Sequence, residues 1–305
     1  MREGLVLRST GSWYSIMHAD GMTDCRLRGN YRLRENKQTN PVAVGDHVLF
    51  DIQDDGTGVI TEVCERKNYI VRKATKLSKQ THVIAANIDM LCVVATMVFP
   101  RTSTGFIDRL LVTAEAYHIP ACLVLNKKDL YDKELMKTVE ETSNIYRKAG
   151  YPVYHTSTIT GDGIEGLKDT IREKVVLFSG HSGVGKSALL NAIDPKLNLR
   201  VGEVSEWSHK GKHTTTFAEI FPLGDSLLID TPGIKEFGMV DIKPEELGHF
   251  FPEIREHLHK CRFNTCTHTH EPGCAVKEAL DKGLIATERY ENYLGILDQI
   301  ESSDV

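Results

Sequence analysis

Long apolar runs are missing from this chain of 305 residues, and none approaches the roughly 18 residues of a membrane-spanning helix. Charges at Arg2, Glu3 and Arg8 interrupt the amino terminus before a signal-peptide core can form, so a cytoplasmic location and no membrane partner are expected. An excess of basic charge is missing too: 37 Lys and Arg against 42 Asp and Glu leave a net charge of -5. Any contact with nucleic acid must therefore come from a local patch. Cysteine is sparse, and its count of 7 is odd, which argues against a disulfide framework in a reducing compartment. Cys92 and Cys122 sit in apolar runs and read as small core residues, as do Cys25 and Cys64. Internal repeats and low-complexity segments are absent.

The hydropathy pattern divides the chain into three parts, expected at 1–72, 73–240 and 241–305. The first holds short alternating runs at Gly4 to Ser9, Trp13 to His18, Cys25 to Arg28, Asp46 to Ile52 and Val59 to Cys64. Five strands in so little chain predict an OB-fold barrel, a fold that binds oligonucleotides across an open face. Strand count alone leaves open a barrel that only packs on its neighbour. Arg26, Arg28, Arg32 and Arg34 surround Tyr31, pairing phosphate contacts with a stacking ring, and these five are the candidate RNA-binding residues. Beyond residue 80, continuous apolar runs (Met90 to Val98, Ala121 to Leu125, Pro152 to His155, Val175 to Phe178) alternate with helical patterns. That rhythm predicts an α/β domain with a parallel sheet and helices on both faces. After about residue 241 it gives way to a helical tail rich in His and Cys.

Gly180-His181-Ser182-Gly183-Val184-Gly185-Lys186-Ser187 follows a strand and opens a helix, the full phosphate-loop pattern in its required context. Glycines let successive backbone N–H groups face a phosphate, Lys186 reaches the β- and γ-phosphates, and Ser187 ligates Mg²⁺. Asn126-Lys127-Lys128-Asp129 ends the strand Ala121 to Leu125 and supplies guanine selectivity. Asp129 can accept from N1–H and the exocyclic N2 amino group, an edge that adenine lacks. Ser157 and Thr158, after a third strand, would offer a backbone N–H to guanine O6. Asp230-Thr231-Pro232-Gly233 completes the set: Asp230 faces Mg²⁺ through water, and the Gly233 amide meets the γ-phosphate. Between this and the phosphate loop lies Lys210 to Thr216, in the place of a first switch; Thr215 is favoured as a Mg²⁺ ligand, with its Thr neighbours chemically equivalent.

The guanine-reading pieces precede the phosphate loop, whereas GTPases ordinarily run the other way; the cyclic order is intact but cut elsewhere. A circularly permuted P-loop GTPase domain is expected. Ile234 follows Gly233, where a Gln would orient the attacking water, so slow intrinsic hydrolysis is expected, with His213 a candidate substitute. In the tail, Cys261, Cys266, His268 and Cys274 offer three thiolates and an imidazole within fourteen residues, the donors of one closed, structural Zn²⁺ site. His257, His259 and His270 are alternative imidazoles.

The permuted order, Asn87-Ile88-Asp89, the Ile107-Asp108-Arg109 stretch, His213-Thr214-Thr215-Thr216 and the Cys-Cys-His-Cys set together resemble the RsgA family across essentially the whole chain. That resemblance implies an amino-terminal OB-fold, a permuted GTPase domain and a carboxyl-terminal helical zinc-binding domain. It further implies a GTP phosphohydrolase stimulated by the small ribosomal subunit, with ribosomal RNA and GTP or GDP as partners, working as a monomer in late subunit maturation. Ser157-Thr158-Ile159 departs from the family's usual Ser-Ala-Lys. Two other readings are a GTP-regulated RNA-binding module and a GTPase of some non-ribosomal assembly.

Overall fold

A computed structural model describes residues 1–28, 41–73, 81–199, 218–230 and 242–303. Strands β1 (Arg2–Ser9), β2 (Tyr14–His18), β3 (Gly21–Leu27), β4 (His47–Ile52) and β5 (Gly58–Val63) close into a barrel in the order β1-β2-β3-β5-β4, with β1 also pairing β4. Alternation decides which side chains line it: β3 buries Thr23, Cys25 and Leu27 and exposes Met22, Asp24 and Arg26. The interior is filled by Val6, Tyr14, Ile16, Cys25, Val48, Phe50 and Ile60. Gly4 is needed there, because a β-carbon at that position would run into the Ile16 side chain and the Met17 carbonyl. The parallel pairing of β3 with β5 inside an otherwise antiparallel barrel is the expected OB-fold arrangement.

A hairpin not anticipated from the sequence, β6 (Tyr69–Lys73) and β7 (Thr81–Ala86), leads out of the barrel. Its Arg and Lys residues interrupt the apolar alternation that would have marked it. Two buried asparagines secure the junction. Asn87 Nδ2 donates to the Gly45 carbonyl at 2.8 Å, and Asn68 pairs with the Ile88 backbone through both its amide nitrogen and its oxygen.

The second part contains β8 (Met90–Ala95), α1 (Thr104–Ala116), β9 (Ala121–Leu125), α2 (Lys133–Lys148), β10 (Val153–His155) and α3 (Ile164–Ile171). It continues with β11 (Val175–Ser179), α4 (Lys186–Ile193), β12 (Glu219–Leu223) and β13 (Ser226–Asp230). The sheet order is β10-β9-β8-β11-β13-β12, parallel except for β12. Every residue of β8 is buried, as a central parallel strand requires. Leu91, Val93, Leu123 and Leu125 pack towards α1 and α2, while Cys92, Val94, Cys122 and Val124 pack towards α3 and α4. Both faces are covered, as the sequence rhythm predicts. Chain order runs outward from β8 to β10 and returns to the centre at β11, which creates a switch point between β8 and β11, where open sheets hold their ligands. A bridge between Arg8 and Glu219 continues this sheet into the barrel.

The third part is helical, with α5 (Pro252–Arg255), α6 (Ala275–Asp281) and α7 (Thr287–Ser303) after a 3-10 segment, Pro244–Phe250. Its core of Leu247, Phe251, Ile254, Val276, Tyr293 and Ile296 takes in Val112 of α1. Arg289 of α7, 2% exposed, is held by Asp108 of α1 at 2.5 Å and by Glu253 at 2.6 Å. Asn292 and Tyr146 also donate to Asp108, at 2.7 and 2.8 Å. Burial pushes the Asp108 carboxyl up, against the pull of Arg289. Among the described residues no helix is long and apolar enough to cross a membrane.

Candidate functional site

The loop Gly180–Gly185 joins β11 to α4 at the switch point, and Gly180, Gly183 and Gly185 all have positive φ, at 157°, 83° and 93°. Space is as decisive as torsion here. A β-carbon on Gly180 would meet the Val94 carbonyl, and one on Gly185 would meet the Asn126 amide. Lys186, the first residue of α4, folds back so that its Nζ donates to the carbonyls of Gly180 and His181, each at 2.7 Å. Burial lowers the Lys186 ammonium to about 8. Ser187 is buried one residue further along the helix, whose amino-terminal dipole faces the loop.

Asn126 links the loop to the end of β9. It is 1% exposed, and its Nδ2 donates to the Val184 carbonyl at 3.0 Å while its Oδ1 accepts from Thr156 Oγ1 at 3.0 Å. The Asn126 carbonyl accepts from the Tyr131 hydroxyl at 2.5 Å, and that hydroxyl takes the Met97 N–H at 3.3 Å. Lys127 is left-handed, with φ 65°, and its Nζ donates to the Phe99 carbonyl at 2.6 Å. Lys128 pairs with Asp162 at 3.1 Å. Asp129 accepts from Ser157 Oγ at 2.5 Å, and the same hydroxyl takes the amides of Ile159 and Thr160 at 3.2 and 3.1 Å. The Ser157 amide is used by the Asp162 carbonyl at 3.0 Å. Among the described residues, the amides of Ser157, Ile159 and Thr160 are thus engaged within the loop, and that of Thr158 is not.

Asp230 closes β13 in the neighbouring strand. Thr215, His213 and Gly233 lie outside the described residues, as do Tyr31, Arg32 and Arg34. Of the barrel's candidate residues, Arg26 and Arg28 are described and exposed, and the Arg26 guanidinium lies 3.9 Å from the centre of the Trp13 ring. The brackets supplied by Thr156, Tyr131 and the Ser157 hydroxyl were not read from the sequence. They are ordinary polar residues, and only the fold brings them across 5 to 30 positions to Asn126 and Asp129.

The four candidate ligands of the tail come together: one donor atom each from Cys261, Cys266, His268 and Cys274 lies within 4.8 Å of the others, a group able to hold a metal ion. His268 Nδ1 is 3.7 Å from Cys261 Sγ and 3.4 Å from Cys274 Sγ. His257, His259 and His270 are not part of the group. The loop is braced from outside it. Tyr290 and Tyr293 hydroxyls donate to the carbonyls of His268 and Thr267 at 2.6 and 2.9 Å, and Glu271 accepts from the amides of Thr267 and Thr269 at 2.6 and 3.0 Å. Burial acts upward on Glu271, but these hydrogen bonds outweigh it and hold its carboxyl at about 2.

Residues 3–60 match the family described as the RsgA N-terminal domain, and residues 63–240 match the RsgA GTPase family. The small ribosomal subunit biogenesis GTPase RsgA of Bacteroides fragilis is 46% identical over 301 residues, covering 98% of this chain and 97% of that protein. RsgA 2 of Bacteroides thetaiotaomicron is 48% identical over the same share of both chains. Among solved structures, YjeQ from Thermotoga maritima is similar with a TM-score of 0.82 and 38% identity, over 98% of each chain. YloQ, described as a circularly permuted GTPase, is similar with a TM-score of 0.78 and 31% identity, over 99% of this chain and 96% of its own. This chain belongs to the RsgA GTPase family, and its nucleotide-binding domain is circularly permuted.

Proposed function

We propose that this protein hydrolyses GTP on the small ribosomal subunit during late maturation of that particle, and that it turns over slowly when free. GTP hydrolysis follows from its family. The observation that carries the reading of the site is the hydrogen bond from Asn126 to the Val184 carbonyl, which fastens the base-reading loop directly to the phosphate loop. In this reading Asp129 accepts from guanine N1–H and the N2 amino group, Ser157 orients its carboxylate, and the Thr158 amide meets O6. The Lys127 stem covers the ring, and Lys128 steadies the loop through Asp162. The amides of Gly180 to Gly185 cradle the β-phosphate, while Lys186 exchanges its two carbonyl partners for β- and γ-phosphate oxygens. Ser187, Thr215 and, through water, Asp230 would hold the Mg²⁺ that accompanies GTP and neutralises charge on the transferring phosphoryl group. The Gly233 amide meets the γ-phosphate, and His213 orients the attacking water on the docked particle.

We assign zinc to the cysteine–histidine group. Bonds of about 2.3 Å to sulfur and 2.0–2.1 Å to nitrogen in a tetrahedron separate a thiolate from an imidazole nitrogen by about 3.5 Å. The distances of 3.4 and 3.7 Å from His268 Nδ1 to two sulfurs agree with that. The ion is structural, since all four positions are filled by protein. The three parts, 1–72, 73–240 and 241–305, then divide the work into RNA contact, GTP hydrolysis and docking, with Arg26, Arg28, Tyr31, Arg32 and Arg34 meeting ribosomal RNA. The protein acts in the cytoplasm as a monomer, where that particle is assembled. Sedimentation with purified small subunits tests the partner: the protein should travel with them in a non-hydrolysable GTP analogue and be released in GDP. Failure to co-sediment with either nucleotide would overturn the ribosomal reading and leave a GTPase of another assembly.

A further inference from the structure

Helix α1 lies between the phosphate loop and the C-terminal helix. Phe106, in its first turn, stacks on His181 with ring centroids 3.6 Å apart and planes inclined by 23°. His181 is the second residue of the loop, and its carbonyl is one of the two that hold the Lys186 ammonium. The adjoining flank of α1 is clamped by α7. Asp108 is bound by Arg289 and Asn292, and Arg109 donates to Gln299 at 3.1 Å. A β-carbon on Gly105 would stand 3.3 Å from Asn292 Oδ1, so α7 also closes against the first turn.

Phosphate binding by such a loop needs backbone amides and a lysine, and an imidazole at the second position contributes to neither. The stack is not interior packing, since the His181 side chain is exposed and Phe106 only half-buried. It joins a loop that must keep its shape to a helix that cannot yield. We propose that Phe106 is a positioning residue for the phosphate loop: stacked on His181, it fixes the peptide whose carbonyl aims Lys186 at the nucleotide. The inference rests on the loop being the GTP site. Desolvation first, then the charges of Lys186 and Arg109, lower the His181 imidazole from its ordinary value, so the stacked ring is neutral at neutral pH.

A double-mutant cycle on the full chain tests it. Phe106→Ala and His181→Ala should each raise the Kd for GTP about three- to tenfold, the worth of one aromatic pair, and the double variant should be no weaker than either. Phe106→Tyr should stay within about twofold of the parent; Phe106→Leu, which keeps apolar bulk for folding but loses the ring, should match Phe106→Ala. In NMR titrations the His181 imidazole pKa should rise in Phe106→Leu and stay put in Phe106→Tyr. Fully additive losses, or a Phe106→Leu protein that binds GTP like the parent, would overturn the proposal. Lys186→Ala separates the two readings. If it loses GTP while Phe106→Leu does not, only the stack's role fails; if it binds GTP normally, the loop is not the site.

Discussion

Asp129 and Ser157 illustrate how the site is set residue by residue. The carboxylate we propose to read guanine needs a fixed orientation, and the Ser157 hydroxyl, 2.5 Å away and itself pinned by two amides, provides it. A hydrogen bond to a charged group contributes about 1.5–3 kcal/mol, so Ser157→Ala should weaken GTP binding about tenfold or more, as read by titration calorimetry. Asp129→Asn should go further and turn preference towards xanthosine nucleotides, whose 2-oxo group needs a donor; competition binding with GTP and XTP checks this. Lys186 gives a pH signature. Its ammonium is held at about 8 by burial, and a bound triphosphate favours the charged form, raising that pKa. GTP binding therefore takes up a proton above about pH 8, and affinity should fall by up to tenfold per pH unit as pH rises from 8. Between pH 7.5 and 9 the fall should be seen in the parent and not in Lys186→Arg.

At the level of elements, the phosphate loop and the Asn126–Asp129 loop were legible because each is a short contiguous motif at the end of an apolar strand. What tied them together was not. Asn126 to Val184 spans 58 positions, Thr156 joins it from the loop after β10, and Tyr131 folds back on it from the end of its own loop, so no short motif announces them. The β6–β7 hairpin was missed for a related reason: its register is fixed by contacts to Asn68 and Asn87 at its base, and its own charges obscure the alternation. The barrel strands were readable, since an inward apolar face repeats every second residue. The metal group was readable as a set of donors, though only the turn at His268, with φ 61°, brings its Nδ1 between two sulfurs. Cys266→Ala should remove the metal, which mass spectrometry under native conditions would read as the loss of one zinc per chain. The tail should loosen while GTP affinity holds within about threefold, because the α1–α7 clamp does not run through the cluster.

For the whole molecule, the permutation matters most. Because the chain is cut ahead of β8, Asp230 at the end of β13 precedes the C-terminal part in sequence, and the edge strand β12 beside β13 is bridged to the barrel through Arg8 and Glu219. The barrel is thus attached at β12, which with β13 bounds the segments expected to respond to the γ-phosphate, while the C-terminal part is attached to α1 through Arg289 and Val112. That architecture suits an enzyme whose chemistry waits on docking, and Ile234 after Gly233 supplies no water-orienting side chain of its own. The most direct test is the rate of GTP hydrolysis by the full-length protein with and without purified small ribosomal subunits. The account predicts slow turnover alone and an increase of about 10³-fold or more on adding subunits, with the increase lost in His213→Ala. Fast turnover by the free protein, or a rate indifferent to subunits, would contradict it.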